Sequence, residues 1–299
     1  MDRREALRFL GASAALSALP VRAQADAALA RAVPSSGEAI PVIGLGTWIT
    51  FDVGAADSPA RRARGEILRA FLASGGRLVD SSPMYASSEA VIGAERPARS
   101  ALFSATKVWT VGHLAGRRQM EHSLALWRLQ RFDLMQVHNL LDWEAHWPTL
   151  QAWKAEGRAR HIGMTTSHGR RHDELEALLR RERMDFVQFT YNLADRQVER
   201  VLLPLAADRG TAVIVNRPFD GGDLFGAKTR APLPGWAAEL QCGSWAEAFL
   251  KWIVAHPAVT CAIPATSQLA HLRENVRALR GPLPDAALRR RIAEDYAKL

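Results

Sequence analysis

Cysteine is nearly missing from this chain: 299 residues hold two, Cys242 and Cys261. They form neither a CxxC redox pair nor a cluster with metal-ligand spacing, so no thiolate-bound metal is expected. Cys261 sits in the apolar, strand-like run VTCAI, where a buried free thiol is the expected state. A bridge to Cys242 would need facing Cβ atoms, which sequence does not show. Tyrosine is scarce too, at three residues. No low-complexity linker interrupts the chain and no break in composition marks a second domain. The weakly apolar run from Phe9 to Leu19 is too short to span a bilayer, so no stable membrane insertion is expected. The formal net charge is +8. Its arginine pairs, such as Arg61-Arg62 and Arg170-Arg171, are nevertheless scattered. No basic stripe with interleaved aromatics appears, so nucleic acid is not an expected partner.

Residues 1–25, MDRREALRFLGASAALSALPVRAQA, read as a signal peptide: basic residues, a short apolar run, then the small-x-small pattern Ala23-Gln24-Ala25. The stretch from Asp2 to Arg8 resembles a twin-arginine signal of the form S-R-R-x-F-L-K, with Asp2 for the serine and Ala6 for the phenylalanine. The expectation is engagement of the twin-arginine export machinery, a mature N-terminus at Asp26 and a periplasmic location. That route carries folded proteins, which suits a chain that binds a cytoplasmic cofactor before export.

From residue 26 to 299 one domain is expected. Eight apolar runs read as strands: VIGLGTW (42–48), RLVDSS (77–82), ALFSATKV (101–108), FDLMQVH (132–138), ARHIGMTTS (159–167), FVQFTYN (186–192), TAVIVNRPF (211–219) and VTCAIPAT (259–266). Near-continuous apolar character is what a strand covered on both faces requires. Amphipathic stretches lie between them, at 60–74, 114–129, 145–156, 173–183, 195–209 and 244–256. Eight strands with amphipathic stretches between them, in about 240 residues, match a closed (β/α)8 TIM barrel of the α/β class. The segment ARAVPSSGEAIPV reads as an N-terminal hairpin, and PDAALRRRIAEDYAKL as an extra C-terminal helix.

A barrel places reactive groups at the C-terminal ends of its strands. There this sequence sets Asp80, Lys107 and His138, with Tyr85 in the loop after Asp80. A phenol of pKa about 10 is a poor proton donor near neutrality, and an adjacent ammonium favours its ionised form. A carboxylate in turn keeps a buried lysine charged. The set has an internal logic: Asp80 holds Lys107, Lys107 tunes Tyr85, and Tyr85 acts as acid or base while His138 holds a substrate oxygen. A carbonyl protonated on oxygen also needs a hydride on carbon. Side chains do not supply one, and a nicotinamide does.

These residues carry a family resemblance. IPVIGLGTW (40–48), the run from Asp80 to Tyr85 with its Asp-x4-Tyr spacing, SSEAVIG (87–93), TKV (106–108), DLMQVH (133–138), QFTYN (188–192), RPF (217–219) and IPATS…ENVRAL (263–279) resemble the aldo-keto reductases over nearly all of residues 30–299. The resemblance implies Tyr85 as catalytic acid/base, Lys107 and Asp80 as its partners and His138 as the carbonyl-orienting residue. It implies a cofactor site of Gly46, Thr47 and Trp48 beside the nicotinamide and Gln188 at the carboxamide. Arg217, Pro218, Phe219 and the loop on to Leu224 would pass over the pyrophosphate, and Asn275 would lie at the adenine. Family barrels bind this cofactor without a GxGxxG fingerprint, which the chain also lacks.

Departures from the pattern concern the cofactor. Thr165 and Thr166 stand where the family usually has Ser-Asn, and Asn216 stands where an aromatic ring often stacks on the nicotinamide. Ala265, Thr266 and His271 occupy places where a lysine, a serine and an arginine often hold a 2′-phosphate. NADPH is the first expectation and NADH the alternative. Short loops and the tryptophans Trp48, Trp109 and Trp143 imply an open site for an aromatic or bulky carbonyl substrate. The competing reading is a nicotinamide-nucleotide-binding redox sensor or docking module with little turnover. A glycosidase needs two facing carboxylates, and Asp80 is the one acid at the strand ends with an evident role.

Overall fold

The structure, a computed structural model, describes residues 27–97, 102–226 and 228–299. The expected leader lies outside the described residues. The chain opens with an antiparallel hairpin, β1 (Ala30–Ala32) and β2 (Ala39–Pro41). Eight parallel strands follow: β3 (Leu45–Gly46), β4 (Leu78–Asp80), β5 (Phe103–Val108), β6 (Phe132–Val137), β7 (Ala159–Thr165), β8 (Phe186–Thr190), β9 (Ala212–Asn216) and β10 (Cys261–Ala262). Each pairs with its neighbours in chain order. Parallel bridges Ile43–Ala262 and Gly46–Ala265 join the first strand to the last and close the barrel. Gly44 N donates to Ala262 O at 2.8 Å, and Ala262 N to Val42 O at 2.9 Å. This closure requires glycine: a Cβ on Gly44 would lie 2.9 Å from Leu78 O, and one on Gly46 would lie 2.8 Å from Ile263 O.

The helices are α1 (Pro59–Ala73), α2 (Ser88–Glu95), α3 (His113–Trp127), α4 (Trp143–Ala155), α5 (His172–Arg181), α6 (Leu202–Asp208), α7 (Trp236–Glu239), α8 (Trp245–Val254), α9 (Leu269–Arg277) and α10 (Ala286–Lys298). Local chemistry sets their ends. Ser58 caps α1 by accepting from Arg61 N, with a proline in the first turn. Ser244 and Glu247 make a reciprocal capping box at α8. Asp285 caps α10, its side chain accepting from Leu288 N. Tyr296, on that helix, donates to Leu224 O at 3.0 Å and so ties down the loop after β9.

Period-two alternation sorts each strand into two faces. Val79, Val108, Met135, Val137, Val187, Val213 and Val215 point outward and join the helices in the larger core. Leu78, Phe103, Ala105, Leu134, Phe186, Ala212, Ile214, Cys261 and Ile263 point inward and fill the lower barrel, and Val33 and Ile40 of the hairpin plug its floor. Glu38, in that hairpin, pairs with Arg77 at 3.1 Å and with Arg160, which also holds Asp133 at 2.8 Å. One step further up the inward face the residues turn polar: Asp80 after Leu78, Lys107 after Ala105, Gln136 after Leu134 and Gln188 after Phe186. The filling below, apolar apart from His161 against Phe103 and Phe186, closes the barrel beneath these groups. Both cysteines are free, Cys261 fully buried and Cys242 partly so.

Candidate active site

Asp80 ends β4 and Lys107 is the penultimate residue of β5, two strands paired in register. Lys107 has no exposed surface. Its Nζ donates to Asp80 Oδ1 at 2.5 Å and to Ser81 O at 2.7 Å. The second carboxylate oxygen accepts from Gln136 Nε2 at 3.3 Å and Gln188 Nε2 at 3.2 Å. Thr47 Oγ1 donates to the Asp80 carbonyl at 2.9 Å. Burial alone would drive the ammonium's pKa down, but Asp80, chiefly through its charge and also through its hydrogen bond, leads the effects that outweigh it, and the pKa rises. Lys107 is therefore a buried ammonium that Asp80 holds in its charged form.

Tyr85 sits over it. Ser82 caps the short 3₁₀ turn Pro83–Tyr85, accepting from Met84 N at 3.2 Å. The Lys107 nitrogen lies 5.4 Å from the centroid of the Tyr85 ring. The electrostatics differ from the sequence expectation in one respect. Desolvation raises the phenol's pKa by more than Lys107 lowers it, and Asp80 adds to the rise, so the net shift is upward. Tyr85 therefore stays protonated at neutral pH, as a proton donor must. His138 follows β6; its ring meets that of Tyr85 edge-on at 5.8 Å. Burial, then the Lys107 charge, push its pKa well below the ordinary imidazole value, so the ring is neutral.

Above these groups opens a cavity of about 810 Å3. Of the residues expected at the site, Gly46, Thr47, Trp48, Asp80, Tyr85, His138, Gln188, Asn216, Arg217, Pro218, Phe219, Thr266, His271 and Asn275 line it. Lys107 lies beneath. Others face elsewhere. Thr165 Oγ1 accepts from Asn139 N at 3.0 Å, and Thr166 O accepts from Asn216 Nδ2 at 2.8 Å, so both serve the rim's own hydrogen bonding. Leu224 is buried under α10. Trp143 opens α4 and packs under the Arg181 guanidinium, 5.0 Å from its ring. Trp109 is exposed, its backbone held by Gln119. Neither of these two tryptophans lines the cavity. Gln188, expected at a carboxamide, spends its amide protons at least in part on Asp80.

The cavity also has walls that sequence reasoning missed: Ile49, Met84, Asn139, His168, Arg170, Phe225 and Glu274. Ile49 holds φ at 63°, a strained value for a β-branched residue. Glu89, hidden in the SSEAVIG segment, is buried behind β5. It accepts from Thr106 Oγ1 at 2.5 Å, Ser123 Oγ at 2.8 Å and Trp127 Nε1 at 3.0 Å. Three buried polar atoms of lining residues have no partner among the described residues: Thr50 Oγ1, Asn139 Oδ1 and Arg217 Nε. A wall with unspent polar atoms, an arginine and a buried Asn275 suits a large polar, anionic ligand.

A phenol, a buried ammonium–carboxylate pair and a neutral imidazole thus share one rim of the barrel, the end at which such barrels carry their active sites. The model of the aldo/keto reductase family matches residues 42–291, and the chain belongs to that family of oxidoreductases. It is 27% identical over 262 residues to the methylglyoxal reductase YeaE of Escherichia coli, covering 85% of this chain and 90% of that protein. It is 29% identical over 172 residues to an NADH-specific methylglyoxal reductase of the same organism, covering 48% and 52% of the two chains. Among solved structures it resembles an aldo-keto reductase from Klebsiella pneumoniae in complex with NADPH, with a TM-score of 0.70, 25% identity and coverage of 87% and 92%. Among the described residues no helix is long and apolar enough to cross a membrane.

Proposed function

We propose that this chain reduces aldehydes or ketones to alcohols with a nicotinamide nucleotide, Tyr85 acting as general acid. The observation that carries the reading is the stack of Asp80, Lys107 and Tyr85 on the cavity floor, with neutral His138 edge-on to the phenol. When bound, the nucleotide supplies the hydride that protein groups lack. The chain's own residues do the rest. Tyr85 delivers its proton to the carbonyl oxygen, Lys107 stabilises the phenolate left behind, and Asp80 holds Lys107 charged. Arg217 and the turn after it would take the pyrophosphate charge, and Thr266, His271, Glu274 and Asn275 the adenosine end.

NADPH remains the first choice, supported by the nucleotide in the Klebsiella protein's structure, with NADH the alternative named for one E. coli relative. Titration of both by tryptophan quenching decides, since Trp48 lines the cavity; a tighter response to NADH overturns the preference. The substrate reading is an aldehyde or ketone with an apolar, preferably aromatic, substituent. Trp48, Ile49, Met84, Phe219 and Phe225 give the wall its apolar character. Phenylglyoxal and benzaldehydes should outrun glucose, with methylglyoxal between them. Efficient sugar turnover with poor aryl aldehyde turnover overturns this reading.

Tyr85→Phe tests the chemistry. It should lower kcat by at least about 100-fold while nucleotide quenching and thermal stability stay at wild-type values. Undiminished turnover removes Tyr85 from its role. Export through the twin-arginine route is also proposed, with Asp26 as the first mature residue. N-terminal sequencing of periplasmic protein tests it, and a chain starting at Met1 there refutes cleavage.

A further inference from the structure

Ser82 lies between Asp80 and Tyr85 and is fully buried. Its Oγ is 2.8 Å from Nδ1 of His138, and it accepts from Met84 N at 3.2 Å. A hydroxyl has one proton and two lone pairs. Met84 N–H occupies one lone pair, and no other described residue accepts the proton. If Nδ1 carried the ring hydrogen, the Ser82 proton would be buried without an acceptor, the costly arrangement for a hydroxyl.

From this geometry we infer that Ser82 is a positioning residue that donates to His138 Nδ1 and thereby fixes the imidazole as its Nε2–H tautomer. His138 lines the cavity, and no described residue hydrogen-bonds to Nε2. That nitrogen faces the cavity as a donor, beside the Tyr85 hydroxyl, and a carbonyl oxygen meets two O/N–H groups at once. The same Ser82 oxygen caps the turn that presents Tyr85. One side chain thus orients both donors. The wrong tautomer would offer the oxygen a lone pair and repel it. The consequence for turnover rests on the carbonyl-reductase reading; the tautomer itself does not.

Long-range 1H–15N spectra of the full chain decide, with the His138 signals assigned by their loss in His138→Asn. The wild type should show a pyridine-like Nδ1 and a pyrrole-like Nε2. Ser82→Ala should move both toward the exchange average and lower kcat for an aryl aldehyde about ten-fold, the worth of one hydrogen bond, with nucleotide affinity unchanged. Ser82→Thr, which restores the hydroxyl, should restore both readouts. A wild-type ring protonated on Nδ1 overturns the inference, as does Ser82→Ala with unchanged ring signals and turnover. Should Ser82→Ala not fold, the wild-type spectrum alone still settles the tautomer. Expected ring signals in a protein that reduces no carbonyl would overturn the reductase reading and leave the tautomer standing.

Discussion

Replacing Asp80 by Asn probes the structure where its charges are most deeply buried. Asp80 and Lys107 have side-chain exposures of 3% and 1%, so solvent screening is negligible. Removing one charge leaves the other without a counter-ion in a dry site, which costs about 3–5 kcal/mol. Removing both, in Asp80→Asn/Lys107→Met, removes the stranded charge as well, and the double variant should be more stable than Asp80→Asn alone. Guanidinium unfolding followed by tryptophan fluorescence measures this. With an m-value of about 5 kcal/mol/M, Asp80→Asn should lower the midpoint by about 0.6–1 M. The pH dependence has a definite sign. The folded pKa of Lys107 is raised, so its contribution is complete below the unfolded value of about 10.4 and is lost as pH rises through the folded value. In Asp80→Asn burial dominates, Lys107 gives up its proton at lower pH, and the deficit narrows as the solution becomes alkaline. A midpoint shift below about 0.2 M by the same conversion, or a double variant less stable than Asp80→Asn, would refute the buried-pair argument.

Reduction by the wild type should hold steady through neutral pH and fall only near and above about pH 10, because the Tyr85 pKa is raised and the acid form persists; a stopped-flow pH profile that falls near pH 7 contradicts this. Asp185 accepts from Ile162 N at 2.9 Å and from Lys154 at 2.6 Å. Burial would raise its pKa, yet His161, 3.9 Å away, together with the bonds from Lys154 and Ile162 N, holds it far below the ordinary carboxylate value. Its stabilisation is complete above about pH 4 and lost as pH falls. Asp185→Asn should therefore destabilise by about 1–3 kcal/mol at pH 7, with a gap to wild type that closes in acid denaturation curves; a gap that widens there refutes the assignment. Gly44→Ala forces a Cβ against Leu78 O and should cost about 1–3 kcal/mol by strain at the barrel seam, read as a lower Tm, whereas an unchanged Tm would mean the seam yields freely.

Much of the barrel was legible because strands covered on both faces are near-continuously apolar, and runs such as TAVIV follow that rule whatever their neighbours. The hairpin and terminal helix were marked by Ser-Ser-Gly and by Pro284-Asp285. Strand ends were less legible: VIGLGTW yields a ladder of only Leu45–Gly46, since the rest of the run makes the seam through single bridges. α2 was missed as a helix because SSEAVIG is short and has no capping serine bond. Asp80, Lys107, Tyr85 and His138 were found by strand-end logic. Ser82 and Glu89 were not, because what gives each its place is a contact 56 residues away to His138 and 17 and 34 residues away to Thr106 and Ser123. The tryptophans show the limit from the other side. A ring's position in sequence does not say which way it points, and Trp143 turned to Arg181.

The ammonium under Tyr85 is plugged from below by the apolar barrel filling and tethered by two of its three N–H bonds. Leu78, Phe103 and Phe186, with His161 packed against the two phenylalanine rings, lie between it and the hairpin end. Tyr85 itself lines the cavity, so under the proposed function its hydroxyl would regain a proton from the side by which reactants arrive and leave, and re-arming the site would be tied to emptying it.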